Sequence, residues 1–273
     1  MVMEYISQAW DAYKRNFWQI IGGLLLVMLI TFGIIIIGAL PLLASFIQYY
    51  GGVSSPTTAA FANFISDSAA QIAIFIAGIL AAFMAAVALN AGYVKMLADS
   101  LKGKAEISTI FETAKEKFWT ILGANILTLL IVSALALVLL VPPFLIMASS
   151  SIETSDVSGI FAVLGALLWF FAGLIIFILA VLPFTLVEQA VVIGNHGVVD
   201  SVKKSFSVVK GNYLQFLALV VILGVVSGVV SLVPLMGDLI NLFVVTPIML
   251  LSYTIFYLAK TGKTGARKPK RKR

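Results

Sequence analysis

Apolar residues in this chain run on without interruption, instead of recurring at the spacing of half-buried elements. Six stretches reach spanning length, at 18–40, 69–92, 119–140, 159–182, 214–232 and 239–258. About 20 such residues carry a helix across a ~30 Å hydrocarbon core. Within lipid every backbone N–H and C=O needs an internal partner, which leaves helices or a closed barrel. Barrel strands alternate apolar and polar residues, and the runs at 24–40 and 218–230 do not. The pattern predicts six transmembrane helices.

Cutting the chain at these spans separates its charges. The connections 41–68, 141–158 and 233–238 hold Asp67, Glu153, Asp156 and Asp238 but no Lys or Arg. All 18 basic residues lie in the N-terminal segment, the other two connections or the C-terminal tail. Short translocated loops are poor in Lys and Arg. Both termini are therefore expected in the cytoplasm, in a multi-pass protein of the cell membrane.

A pattern also recurs before each odd-numbered span. It reads Ile6-x3-Trp10-x3-Lys14-x2-Phe17-Trp18, then Ile107-x3-Phe111-x3-Lys115-x2-Phe118-Trp119, then Val202-x3-Phe206-x3-Lys210-x2-Tyr213-Leu214. Pro41, Pro142/Pro143 and Pro234 follow near the far end of each span. Helical spacing puts Ile6, Trp10, Tyr13 and Phe17 on one face, and Ile107, Phe111, Ala114 and Phe118 on another such face. Val199, Val202, Phe206, Val209 and Tyr213 repeat the arrangement. The expected fold is an all-α integral membrane protein of three parallel-repeat hairpins, each preceded by a cytoplasmic interfacial amphipathic helix. Repeat units fall at about 1–104, 105–196 and 197–260 of a single domain 1–260. Lys14, Arg15, Lys115, Lys203, Lys204 and Lys210 would then face anionic lipid headgroups. The same periodicity fits helices that simply pack on the inner ends of the bundle.

Composition agrees with a bilayer as solvent. The chain is 61% hydrophobic and 11% charged, against about 25% charged in soluble domains. Cysteine is absent, which removes disulfides, thiol nucleophiles and Cys-based metal sites. The first apolar run is too long for a signal-peptide core and has no small-residue cleavage site directly after it, so it reads as a retained span. His196 is the single histidine, placed at an inner turn with no evident catalytic partner. No phosphate-binding loop or dinucleotide fingerprint occurs. No enzyme activity and no cofactor are expected.

The stretch Val187-Glu188-Gln189 through Gly197-Val198-Val199-Asp200-Ser201-Val202-Lys203-Lys204-Ser205-Phe206 and Lys210-Gly211-Asn212-Tyr213 resembles a prokaryotic membrane-domain family. That family occurs fused to glycerophosphoryl diester phosphodiesterases and as stand-alone proteins. The resemblance implies a multi-helix membrane module. It carries over no catalytic residue, because the phosphodiesterase site belongs to a separate soluble barrel.

Two functions fit these features. One is a non-catalytic module that organises lipid or protein partners, including a second copy of the chain. The other is a channel or transporter for a small or lipidic substrate. The spans hold no ionisable residue, and such residues usually mark ion paths. Glu188, just past the fourth span, would either face a vestibule or cap the bundle by pairing with Lys203 or Lys204. Asn90, Asn125 and Asn241 are candidates for lining a cavity or for bonding between helices. Pro183 and Pro247 interrupt spans four and six, and the small residues Gly78, Ala82, Ala86, Gly224 and Gly228 suit close helix packing. The tail 261–273, with Arg267, Lys268, Lys270, Arg271, Lys272 and Arg273, is expected to be unstructured and drawn to anionic lipid. Any nucleic-acid affinity it has would be nonspecific.

The charge pattern makes a direct prediction. A single cysteine introduced in the 93–118 connection should be shielded from membrane-impermeant maleimide in intact cells, and one in 141–158 should react. Labelling of 93–118 from outside would overturn the topology.

Overall fold

The computed structural model describes residues 2–51, 58–103, 105–149, 157–234 and 236–262. In chain order these form α1 (Val2–Arg15), α2 (Phe17–Tyr50), α3 (Thr58–Asp67), α4 (Ala69–Ser100), α5 (Ser108–Ser149) and α6 (Val157–Val181). A 3-10 turn at Leu182–Phe184 leads to α7 (Val187–Val192), α8 (Val198–Lys210) and α9 (Tyr213–Ser231). After α10 (Gly237–Ile240) comes a π-helical turn at Asn241–Val245 and then α11 (Thr246–Thr261). Among the described residues there is no strand. The basic tail from residue 263 onward lies outside the described residues.

Among the described residues, six helical segments are long and apolar enough to cross a membrane, namely Phe17–Tyr50, Ala69–Ser100, Ser108–Ser149, Gly159–Val192, Tyr213–Ser231 and Gly237–Thr261. Their ends depart from the sequence expectation. Pro41, Pro142 and Pro143, which the sequence places just beyond the apolar runs, lie inside α2 and α5. A proline removes one helical hydrogen bond, a loss that membrane helices tolerate. α2, at 34 residues, is about 51 Å long at 1.5 Å per residue, well over the ~30 Å of hydrocarbon. α9, at 19 residues, is close to that thickness at about 28 Å. Pro183 and Pro247 do disturb the fourth and sixth spans. Pro183 sits in the 3-10 turn, and Pro247 follows the π-helical turn.

The chain forms two compact units, Ala12–Phe118 and Met1–Asp11 with Trp119–Arg273. In the first unit α2 and α4 pack along each other as a hairpin. Gly38 and Gly78 make this possible: a Cβ built on either would stand 3.0 to 3.1 Å from the other's Cα. Ala82, on the same face of α4, is buried. The Tyr93 hydroxyl donates to Ile20 O at 3.3 Å across the hairpin. The first turn of α5 closes onto the same core, with Ile110 against Gly23 and its backbone hard against Gly92. Arg15 donates to Ser100 O at 2.9 Å and Leu101 O at 3.3 Å, and the Asn16 amide reaches Ser100 O at 3.2 Å. Together they satisfy carbonyls left open at the end of α4.

In the second unit α5 and α6 meet where Gly173 lies against Leu139 O. α8 rests on the end of α6 and its turn. Buried Ser205 donates to Pro183 O at 2.5 Å and accepts from Leu186 N at 3.1 Å. Val198, which opens α8, packs on Gly123 of α5. α9 and α11 join through Phe216, whose ring lies 5.4 Å from Tyr253 and 5.0 Å from Phe256. Tyr5 of α1 stacks edge-on against Phe256 at 5.7 Å. Burial there, and the Glu4 carboxylate, hold the Tyr5 hydroxyl above its ordinary pKa. Thus the first turn of α5 packs on α2 and α4, α8 packs on the turn after α6 and on α5, and the start of α1 packs on α11 through Tyr5.

Replacing Gly78 by Val should force the α2–α4 backbones apart and cost about 1–3 kcal/mol, the usual range for overpacking. Gly33, where an added Cβ would meet nothing within 4 Å, should accept Ala without loss. Thermal melts of the two variants in the same detergent would check the contrast.

Candidate functional site

The segments before the odd-numbered spans present the same surface three times. Along α1, Tyr5, Ala9, Ala12, Tyr13 and Asn16 are buried, and Ile20 continues the stripe into α2. In the second segment Ile110, Thr113 and Ile121 are buried. In the third, Val202, Ser205, Val208, Val209 and Phe216 are. The aromatic at the edge of each stripe stays half out: Trp10 is 43% exposed, Phe111 46% and Phe206 42%. Eight residues on, Trp18 is 80% exposed, Trp119 77% and Leu214 78%. Lys14, Lys115 and Lys210, midway between them, are exposed as well.

This corrects the face assigned from sequence. Ile6, Trp10, Tyr13 and Phe17 were grouped as one apolar side, yet Tyr13 is buried while Trp10 and Phe17 are exposed. Steps of 100° put the centre of the docked face one position earlier, on Ala9, Ala12 and Asn16, and leave the large aromatics at its rim. A second correction concerns the junctions. α1 and α8 end before their spans, at Asn16 (φ −118, ψ 29) and Asn212 (φ −139, ψ 32). Each Asn amide donates back to a carbonyl four residues earlier, Ala12 O at 3.0 Å and Val208 O at 3.1 Å. The second segment has Lys117 at that position and runs unbroken into α5.

The remaining candidates are scattered. Lys203 is exposed and Lys204 half-buried, both on α8. The guanidinium of Arg15 is committed to α4 carbonyls. Arg267, Lys268, Lys270, Arg271, Lys272 and Arg273 lie outside the described residues. Asn90 is exposed. The Asn125 amide donates to Ile121 O on its own helix at 3.0 Å. The Asn241 amide bonds across to α9, to Ser227 O at 3.1 Å and Ser231 Oγ at 2.7 Å. Glu188 is half-buried in the first turn of α7 and makes no ion pair with Lys203 or Lys204.

A buried polar region in the second unit escaped sequence reading. Gln189 Oε1, Thr254 Oγ1 and the Tyr257 hydroxyl are buried with no protein hydrogen-bond partner. Tyr257 and the His196 ring both crowd Gly194: a Cβ there would lie 2.5 Å from the Tyr257 hydroxyl and from His196 Cδ2. His196 follows Asn195, whose φ of 57 turns the chain sharply. Only the missing side chain of Gly194 could have signalled this contact. Among the described residues no three His, Cys, Asp or Glu gather as metal ligands.

Six apolar spanning helices define a multi-pass α-helical membrane protein. Residues 23–260 match the model of a family described as a domain of unknown function, DUF7847, and the chain belongs to that family. No curated protein and no solved structure matches it.

Ser205 and Tyr257 give opposite predictions. Ser205→Ala strands two buried backbone groups and should cost about 1–3 kcal/mol. Tyr257→Phe removes a buried hydroxyl without a protein partner and should leave stability unchanged or slightly raised. Steric-trap or thermal unfolding of both variants would test the pair.

Proposed function

We propose that this protein is a non-catalytic membrane module that organises lipid, and partners held at the lipid surface, along its basic cytoplasmic face. One observation supports the reading: three segments each bury one side and leave an aromatic or leucine rim beside an exposed lysine. Tryptophan and lysine side chains suit the headgroup layer, where an apolar body and a polar tip are both accommodated. In this reading the three segments are repeats, the helices lie at the interface, and the basic tail adds to the attraction. The resemblance to the membrane domain found beside glycerophosphoryl diester phosphodiesterases supports a module of this kind, next to lipid-derived chemistry but without it.

A conduit for a small or lipidic substrate is the second reading. It is favoured by the π-helical turn at Asn241–Val245 within the sixth span and by the unpartnered polar atoms of Gln189 and Thr254. Irregular backbone at membrane depth occurs where protein or a water-filled cavity surrounds it.

Tryptophan quenching separates the two. In mixed bilayers, brominated phosphatidylglycerol should quench more than brominated phosphatidylcholine at equal mole fraction, by about two- to fivefold in apparent affinity, with the difference shrinking in salt. Equal quenching, together with protein-dependent release of an encapsulated solute, would replace the first reading with the second.

A further inference from the structure

We infer that the α2–α4 hairpin is built for a hydrocarbon layer of about 40 Å and takes as partners lipids whose acyl chains are longer than those of a ~30 Å bilayer. The inference concerns chains and not headgroups, so it stands apart from the reading of the basic face.

Both helices lie in one compact unit, and both stay uncharged over more than an ordinary span. In α2 nothing more polar than Thr31 or Ser45 occurs between Gln19 and Gln48. Ile20 to Ile47 rises about 40 Å at 1.5 Å per residue. α4 has no charged residue from Ala69 to Val94, about 38 Å along the helix. Its polar side chains there are Gln71 at the outer end and Asn90 and Tyr93 towards the inner one. The two lengths describe one layer because the helices run side by side. Tyr93 bonds to Ile20 O near the inner end, and Gly78 meets Gly38 further out.

Apolar exposure continues over that whole length. Leu29, Ile36, Leu40, Leu43 and Ile47 are each more than half exposed, and Pro41 does not interrupt the helix that carries them. A ~30 Å layer starting at Trp18 would end near Gly38. It would leave Leu40, Leu43 and Ile47 in water, together with the exposed Phe61 and Ile65 of α3. Aromatic side chains mark a boundary further out. Phe17 and Trp18 pair edge-on at 5.2 Å at the inner end. At the outer end Phe46, Tyr49 and Tyr50 stand about Phe64, with ring centroids 5.8, 5.7 and 5.6 Å from it. Trp and Tyr favour the two membrane–water interfaces, and between these belts the apolar surface reaches Ile47. Ordinary tilt does not remove the excess. A tilt of about 20° shortens 40 Å only to about 38 Å, and fitting ~30 Å takes about 40°, the far end of the range for membrane helices. No charged residue separates Leu29 from Ile47, so the acyl chains that cover the first continue to the second. α9, with 19 residues, has no such excess, which makes the preference local to lipid against α2 and α4.

Tryptophan quenching in full-length protein tests this. The four native tryptophans are changed to Phe, and Leu29→Trp, or Ile36→Trp as a second reporter, places one indole on the exposed side of α2. A phosphatidylcholine with brominated chains then competes with monounsaturated phosphatidylcholines of about 14 to about 24 carbons per chain. Relative affinity should peak at about 22–24 carbons, about two- to fivefold above 18 carbons. Leu43→Lys should move the peak to shorter chains, whereas Ser66→Lys, at the end of α3, should leave it in place. Three results would each overturn the inference. A peak at about 16–18 carbons assigns the excess length to tilt. A peak that Leu43→Lys does not move puts Leu43 outside the lipid. Cross-linking of Leu43→Cys to a second copy of the chain gives the outer segment to another protomer. The headgroup is the same throughout, so none of these results bears on the reading of the basic face.

Discussion

A peptide group in hydrocarbon has no water to bond, so any interruption of a helix must be repaired by the protein itself. The fourth span shows the repair most clearly. Pro183 supplies no N–H, and the helix gives way to a 3-10 turn before α7 resumes. The hydroxyl of Ser205 then meets both sides of the defect, donating to Pro183 O and accepting from Leu186 N. One small side chain on α8 thus permits the bend and fixes α8 upon it. Asn241 does similar work beside the π-helical turn by bonding back to α9.

The second constraint is that lipid offers little hydrophobic drive between helices, so close backbone approach has to supply the attraction. Gly38 against Gly78, Gly92 against Ile110 and Gly173 against Leu139 are all contacts that a methyl group would obstruct. By contrast Gly224 and Gly228, although spaced like a packing motif, have nothing within 4 Å of a Cβ position. Spacing alone did not distinguish the two kinds of glycine, because it reports which residues share a face but not what that face meets.

The six spans and their all-helical character were legible because hydrophobic length acts locally. Every residue from 24 to 40 contributes to the signal without reference to any other part of the chain. Three features were not legible in the same way. Helix ends were misplaced since proline is a weaker stop in α2 and α5 than in water. The docking partners of α1 and α8 are Phe256, far away in sequence and one of many phenylalanines, and the carbonyl of Pro183, a backbone group that residue type does not mark as a partner. The polar atoms of Gln189, Thr254 and Tyr257 become notable only once burial strips them of solvent. Of the candidate site, lysine positions and aromatic spacing could be read directly, whereas the face they occupy needed the buried stripe Ala9, Ala12 and Asn16 to be seen.

Packing against the bundle and lying at the lipid interface looked like competing roles for the helices before the spans. The two roles would use different sides of the same helix. A stripe of small or aliphatic residues docks inward, which leaves Trp10, Phe111 and Phe206 at its rim and Trp18, Trp119 and Leu214 fully outward. Burying a large apolar side chain is worth about 1.5–3 kcal/mol, so leaving Trp18, Trp119 and Leu214 in water would forgo several kcal/mol. On the proposed lipid-facing reading, the headgroup layer would recover much of that while leaving each neighbouring lysine hydrated. The matching exposure at these three separate stretches of chain is the observation on which the proposal of a repeated, lipid-facing segment rests.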